Sequence, residues 1–170
     1  GLIDLSVGML IGLIVVVTCD VMDGQSAMTA VAIALALGIG AGVGAVNGLL
    51  NNILRIHPLI LTFGMLSVLQ GAVFVYTDRS VGRTSPEFAW LANGDIAGMP
   101  FSALLLLVTA LAAAGLLHRT RLGRHLFATG GHEEHARRAG INTARVRFWA
   151  FTLSGLSAGI AGILVAGRLG

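Results

Sequence analysis

Residues 118–147 read HRTRLGRHLFATGGHEEHARRAGINTARVR and lie between two apolar runs, residues 101–117 and 148–167. Seven of the chain's eleven basic residues fall in this stretch, against two acids, Glu133 and Glu134. A charged loop bracketed by runs of that length has the pattern of a connection between two membrane-crossing helices. Its arginine excess assigns it to the cytoplasm, because short loops rich in Lys and Arg stay on that side.

Outward from this loop, five apolar runs cover most of the chain: residues 5–21, 27–50, 58–76, 101–117 and 148–167. Each approaches the roughly 17–25 residues a helix needs to cross the hydrocarbon core. Four of the five contain no Asp, Glu, Lys or Arg, and the first carries Asp20 near its end, where an interface would place it. Lipid offers no partners to backbone N–H and C=O groups, so helices that satisfy their own are expected. The strict alternation of a transmembrane β-barrel is absent. The expected fold is all-α: a polytopic transmembrane helix bundle of about five spans, in one domain over residues 1–170.

Composition agrees. The chain is 55% hydrophobic and 11% charged, with a mean hydropathy of +0.86, whereas soluble domains are about 25% charged. A signal peptide explains one apolar run but not five. The isoelectric point near 10.4 raises nucleic acid as a partner, but the basic residues occupy one loop rather than a folded basic face, so none is expected. All eleven basic residues are arginine, and the lone Cys19 excludes a disulfide framework within the chain. Gly1 stands beside one apolar run and Gly170 just past another, so the chain is expected to be a fragment of a longer protein.

Arginine counting sets the orientation. The connections at residues 51–57 and 118–147 carry eight arginines, and those at residues 20–26 and 77–98 carry two, Arg79 and Arg83. The first pair is therefore expected in the cytoplasm and the second outside. Trp90, in the outer connection, reads as an interfacial anchor.

Several motifs carry two readings. Gly38, Gly40, Gly42, Gly44 and Gly48 give overlapping small-xxx-small spacings that let helix backbones approach closely. The nucleotide-loop alternative needs G-x-G-x-x-G after a strand, which this stretch lacks. Gly155-Leu156-Ser157-Ala158-Gly159 matches the G-x-S-x-G elbow, but no acid or His follows Ser157 and the motif lies in a span, so Gly155, Gly159 and Ser154 with Ala158 read as helix contacts. His132-Glu133-Glu134-His135 falls short of H-E-x-x-H because residue 136 is Ala136; a solvated helix is expected and no metal. Asp4 and Ser6 suit the start of a helix and, at membrane depth, a polar pathway. Asn47, Thr62 and Gln70 are the other candidate pathway positions, with interhelical hydrogen bonding as the plainer role.

Within the loop, Gly130-Gly131 predicts a break, followed by a short helix over residues 132–139. Glu133 and Glu134 in its first turn and Arg137 and Arg138 in its last suit the helix dipole, and Gly140 is a natural stop.

On these residues the chain resembles the membrane-spanning permease subunits of bacterial ABC importers for simple sugars, the ribose, xylose and galactose type. The residues GLIDLSVG at 1–8, RLGRHLFATGG at 121–131 preceded by Thr120, Gly140-Ile141-Asn142, and FTLSGLSAGIAG at 151–162 carry the likeness. It covers nearly the whole chain and resembles the middle half of such a permease. Where the family has Asn after the Gly-Gly pair and small residues two and three places on, this chain has His132, Glu134 and His135, which implies a differently tuned docking surface.

The resemblance implies a multi-pass subunit of the bacterial inner membrane that translocates a monosaccharide. It implies a second permease copy, a periplasmic sugar-binding protein and ATP-binding cassette subunits as partners in the lipid bilayer. Its ATPase-coupling element would be Gly131, His132, Glu133, Glu134, His135, Ala136, Arg137, Arg138, Ala139, Gly140 and Ile141. The chain has no G-x-x-x-x-G-K-[ST], so it is expected to be no enzyme and to hold no cofactor, with ATP and Mg bound by the partner ATPase. The alternatives are a secondary, ion-coupled transporter and an ABC permease for a non-sugar solute. Spans two to five lack the ionisable residues that ion-coupled transporters tend to carry.

Overall fold

The computed structural model describes residues 3–77, 82–96 and 98–169. Its helices, in chain order, are α1 (Val7–Met22), α2 (Thr29–Leu54), α3 (Pro58–Tyr76), α4 (Pro86–Asn93), α5 (Phe101–Arg119), α6 (Arg121–Gly131), α7 (Glu133–Arg138) and α8 (Thr143–Leu169). A 3₁₀ turn, Ser26–Met28, leads into α2, and Asp95–Ile96 (β1) pairs antiparallel with Met99–Pro100 (β2).

Among the described residues, four helical segments are long and apolar enough to cross a membrane: Ser26–Leu54, α3, α5 and α8. The protein is a multi-pass, nearly all-α helix bundle. The first apolar run behaves differently. α1 has 16 residues, about 24 Å of helix against a hydrocarbon core of roughly 30 Å. It begins only after an irregular polar stretch, described below.

The core is the antiparallel pair α2–α8, and glycine makes it. A Cβ on Gly40 would lie 2.4 Å from the Gly155 carbonyl oxygen, one on Gly44 2.3 Å from that of Phe151, and one on Gly48 2.8 Å from Phe148 Cα. From the other side, a Cβ on Gly155 would lie 2.1 Å from the Gly40 oxygen and one on Gly159 2.9 Å from that of Ala36. Only backbones without side chains approach so closely. Gly38 and Gly42 meet nothing within 4 Å, so the glycine reading holds for one face of α2 and not for the whole stretch. α1 lies against this pair, with Leu10 and Ile14 buried and Ile14 packed on Gly162.

The connections sort to two ends. At one, Asn52 Nδ2 donates to the Ala144 carbonyl (2.8 Å), joining the α2–α3 turn to the start of α8. At the other, Gly24 N–H donates to the Arg83 carbonyl (2.7 Å), and Asn93 Nδ2 donates to that of Gly167 (3.1 Å). Ser26 Oγ also donates to Glu87 there, which with the carboxyl's own backbone N–H holds Glu87 below the usual carboxylate range. This is the pairing of connections that the arginine count requires.

α4 starts at Ser85, whose side chain accepts the Phe88 N–H, with Pro86 at its first position. Trp90 on α4 lies against Phe101, ring centroids 5.1 Å apart, and is 46% exposed, so it joins α4 to α5. α5 has no buried residue.

Candidate functional site

Two arrangements of polar side chains stand apart from the apolar bundle. The first precedes α1. Ser6 is at the N-cap position, but its side chain accepts no cap bond. The expected cap comes instead from Asp4, whose Oδ1 accepts from Ser6 N–H (3.0 Å) and Ser6 Oγ (2.6 Å). Its Oδ2 accepts from Ser154 Oγ of α8 (3.1 Å). Asn47 of α2 donates from Nδ2 to Ser6 Oγ (3.0 Å). Thr62 of α3 accepts the Leu5 N–H (3.1 Å) and donates to the Ile3 carbonyl (3.3 Å).

Residues 3–6 are thus held by three helices at once. Ser6, Asn47 and Thr62 are fully buried, and the Asn47 Oδ1 has no partner among the described residues. Ser154 lies eleven residues into α8, roughly 16 Å along a helix of roughly 40 Å. Asn47 lies seven residues from the end of α2 and Thr62 four from the start of α3, roughly 10 and 6 Å of helix, so the cluster sits inside the bundle toward the end that carries the arginine-rich segment, and it unites Asp4, Ser6, Asn47 and Thr62. Gln70 is exposed and stands outside it. Ser154 is the member the sequence hid, because a serine in a helix ordinarily bonds back to its own turn.

The second arrangement lies in the arginine-rich segment. Thr120 caps α6, its hydroxyl accepting the Gly123 N–H (3.1 Å). α6 runs through Gly130 and Gly131, so the predicted Gly-Gly break is displaced. The chain turns at His132 (φ −146°, ψ 101°), which ends α6 and starts α7. A glycine pair weakens a helix but does not forbid one, and α6 continues through it with Leu126 and Thr129 facing Val146 and Ala150 of α8.

α7 is Glu133–Arg138, shorter at both ends than expected, with the two acids first and the arginines last. Gly140, at φ +81°, stops it. Gly140 N–H donates to the Arg137 carbonyl and Ile141 N–H to that of Ala136, both 3.0 Å, which is the Schellman pattern.

One residue fastens α7 to the bundle. Arg147 of α8 places NH1 2.9 Å from Glu133 Oε1 and 3.1 Å from Oε2, while its Nε donates to Asn52 Oδ1 of α2 (3.2 Å). Ala136 is the buried residue of α7. Glu134 and Arg138 pair with each other on the exposed face. Arg137 points into an open groove of about 940 Å³ that Asn52, Arg55, His57, Asn142 and Arg147 also line. Neither Arg147 nor Asn52 was singled out in the sequence, where the arginine surplus is visible but its pairing is not.

The remaining motifs resolve plainly. Ser157 is inside α8, its hydroxyl donating to the Leu153 carbonyl (2.9 Å), so no nucleophile elbow exists there. The His132 and His135 rings stack with centroids 4.8 Å apart. Among the described residues, no group of three or more His, Cys, Asp or Glu is placed to hold a metal.

The chain is 37% identical to the ribose import permease protein RbsC of Escherichia coli (strain K12), over 98% of its own length and 53% of the relative's. It is 35% identical to the D-allose transport system permease protein AlsC of the same strain, over 99% of the chain and 52% of that protein. Against that strain's L-arabinose transport system permease protein AraH it is 34% identical over 73% of the chain and 38% of the relative. The chain thus spans about half the length of the curated relatives it matches. No solved structure matches it. Residues 1–170 match one family throughout, and the chain belongs to the branched-chain amino acid transport system / permease component family.

Proposed function

We propose that this chain is the core of a permease subunit that moves a monosaccharide across the bacterial inner membrane, driven by ATP hydrolysis in a separate subunit. ATP and Mg are held by that ATP-binding partner, and a periplasmic sugar-binding protein delivers the solute. A second copy of the permease completes the pathway. The coupling element is Gly131–Ile141, and Asp4, Ser6, Asn47 and Thr62 lie along or beside the route. Gln70, exposed on α3, belongs to the route only where further helices cover it.

The observation that carries the reading is the Glu133–Arg147–Asn52 linkage. A solvated connector needs no attachment to the spans. A lever does, and here one guanidinium joins an exposed two-turn element to α8 and α2 together. Those two helices are locked by glycine contacts and, through Asn47 and Ser154, hold residues 3–6 inside the bundle. A motion of α7 driven by the partner thus has a packed path to the polar segment. Such a motion requires contacts that differ between two states.

The test uses the full-length protein with its ATP-binding and sugar-binding subunits in vesicles. Ribose, allose or arabinose is expected to accumulate only with ATP. Uptake driven by an ion gradient without ATP would overturn the reading. The family description favours a second solute class, branched-chain amino acids, and uptake of those in place of sugars would select it.

Coupling is tested by charge reversal. Glu133→Arg or Arg147→Glu alone should lower sugar uptake about fivefold, corresponding to ~1 kcal/mol for a pair partly screened by solvent. The double exchange should restore it while the ATPase stays bound throughout. Undiminished uptake in both single variants would refute the lever.

A further inference from the structure

The arginine-rich segment has more positive charge than its own acids neutralise. Glu133 is paired with Arg147 and Glu134 with Arg138, and Arg119, Arg121, Arg124, Arg137 and Arg145 have no acidic partner among the described residues. One of these five, Arg145, borders a hollow of about 540 Å³ between α6 and α8. It is lined by Arg145, His125 and Asn142, by the apolar Leu122, Val146 and Trp149, and by the turn 139–141 that ends the coupling element. Asn142 Oδ1 caps α8 by accepting the Arg145 N–H (3.0 Å), which leaves the Asn142 amide N–H₂ and the Arg145 guanidinium as donors.

The hollow joins cationic donors to an apolar wall, at the level where a membrane begins. Trp149 is 40% exposed on the first turns of α8, and tryptophan belongs at the headgroup level. α5, which ends at Arg119 beside α6, has no buried residue, so lipid or a further membrane helix must meet it along its length. Arg121 and Arg124 lie exposed on α6. A free phosphate would gain nothing from Leu122, Val146 and Trp149. An acidic protein surface would gain little from the apolar half of a site recessed between two helices at the membrane surface. A phospholipid fits both halves, its phosphate toward Arg145 and its glycerol and first methylenes against Trp149. Basic pockets of this kind on the cytoplasmic side of membrane helices suit anionic headgroups.

We propose that the hollow between α6 and α8 binds the headgroup of an anionic phospholipid of the cytoplasmic leaflet, with Arg145 holding the phosphate and Trp149 the glycerol. The site fixes α6, and through it the start of α7, to the membrane surface.

The experiment takes full-length permease in nanodiscs of phosphatidylcholine with phosphatidylglycerol and counts retained phosphatidylglycerol by native mass spectrometry. Arg145→Gln should reduce retention about fivefold, as expected for one arginine at a membrane surface. Arg145→Lys should keep most of it, and Arg168→Gln, at the far end of α8, should change nothing. Trp149→Leu reports the apolar half and should also lower retention. Unchanged retention in both Arg145→Gln and Trp149→Leu overturns the proposal. So does full displacement of the lipid by glycerol 3-phosphate or inorganic phosphate, which would make the hollow a soluble-anion site. Loss of ATPase co-purification in Arg145→Gln with lipid retention intact would assign the hollow to the protein partner and equally overturn it.

Discussion

At Asp4 a carboxylate receives three donors, from the Ser6 N–H, the Ser6 hydroxyl and the Ser154 hydroxyl. Removing it as Asp4→Ala leaves those donors in a bundle with few replacements, at roughly 1–3 kcal/mol for each unsatisfied group. The expected outcome is a lowered melting temperature of the full-length protein in detergent, with Ser154→Ala, which removes one donor only, losing less. A thermal melt followed by size-exclusion chromatography checks the order. Much of this cluster was legible in the sequence, since polar side chains in apolar runs are costly unless paired. Asn47 and Thr62 stood out for that reason, and Asp4 and Ser6 as residues suited to a helix start. Gln70 stood out equally and lies elsewhere, because cost alone does not say which polar residues meet. Arg147 shows the same limit: its charge is evident, yet Glu133 is 14 positions away and Asn52 is 95, and only the fold brings them together.

Among the elements, the α2–α8 pair shows why glycine spacing has to be read by face. Gly40, Gly44 and Gly48 recur every four residues toward α8, while Gly38 and Gly42 face open space. Gly44→Ala is therefore expected to destabilise the protein by about 1–3 kcal/mol through overpacking. Gly42→Ala should be neutral or stabilise by up to about 1 kcal/mol, since alanine is the better helix former. Equal melting temperatures for the two variants would contradict the packing. In the arginine-rich segment the order of charges and the glycine stop foretold α7, whereas α6 was read as loop. Its signals were present in Thr120 as cap and in Leu122 and Leu126 one turn apart, but the Gly-Gly pair outweighed them. Gly140→Ala places a Cβ at φ +81°, a strain of about 1–2 kcal/mol. It should weaken ATPase association more than it lowers the melting temperature, because α7 ends there and the bundle does not. Pull-down of the ATP-binding subunit beside a thermal melt separates the two.

The whole molecule has two ends, and hydrogen bonds assign the connections to them independently of charge. Asn52 and Ala144 meet at one end, Asn93 and Gly167 at the other. On a Cys19→Ser background, Arg55→Cys and Arg145→Cys should be labelled by a membrane-impermeant thiol reagent only in inverted vesicles, and Ser26→Cys only in intact cells. Any other pattern reverses the orientation. Hydropathy located the long helices because crossing a bilayer leaves a composition that no loop imitates. It could not show that α1 starts inside the bundle, since residues 3–6 are made tolerable by Asn47, Thr62 and Ser154 as well as by the bonds between Asp4 and Ser6.

That interrupted start bears on how the protein is made. A chain enters the membrane from its N-terminus, yet the partners of residues 3–6 are synthesised late. The Leu5 N–H waits for Thr62, 57 residues on, and Asp4 waits for Ser154, 150 residues on. Until α8 arrives, the Asp4 carboxylate lacks one of its three donors, and burying a charged group without its partners is costly. α1 is thus expected to remain in the insertion machinery or at the interface while α2 to α5 are laid down, and to take its final depth only when α8 closes the bundle. Arrested chains ending before Thr143 should leave Asp4 open to aqueous reagents, and chains extended past Leu169 should not.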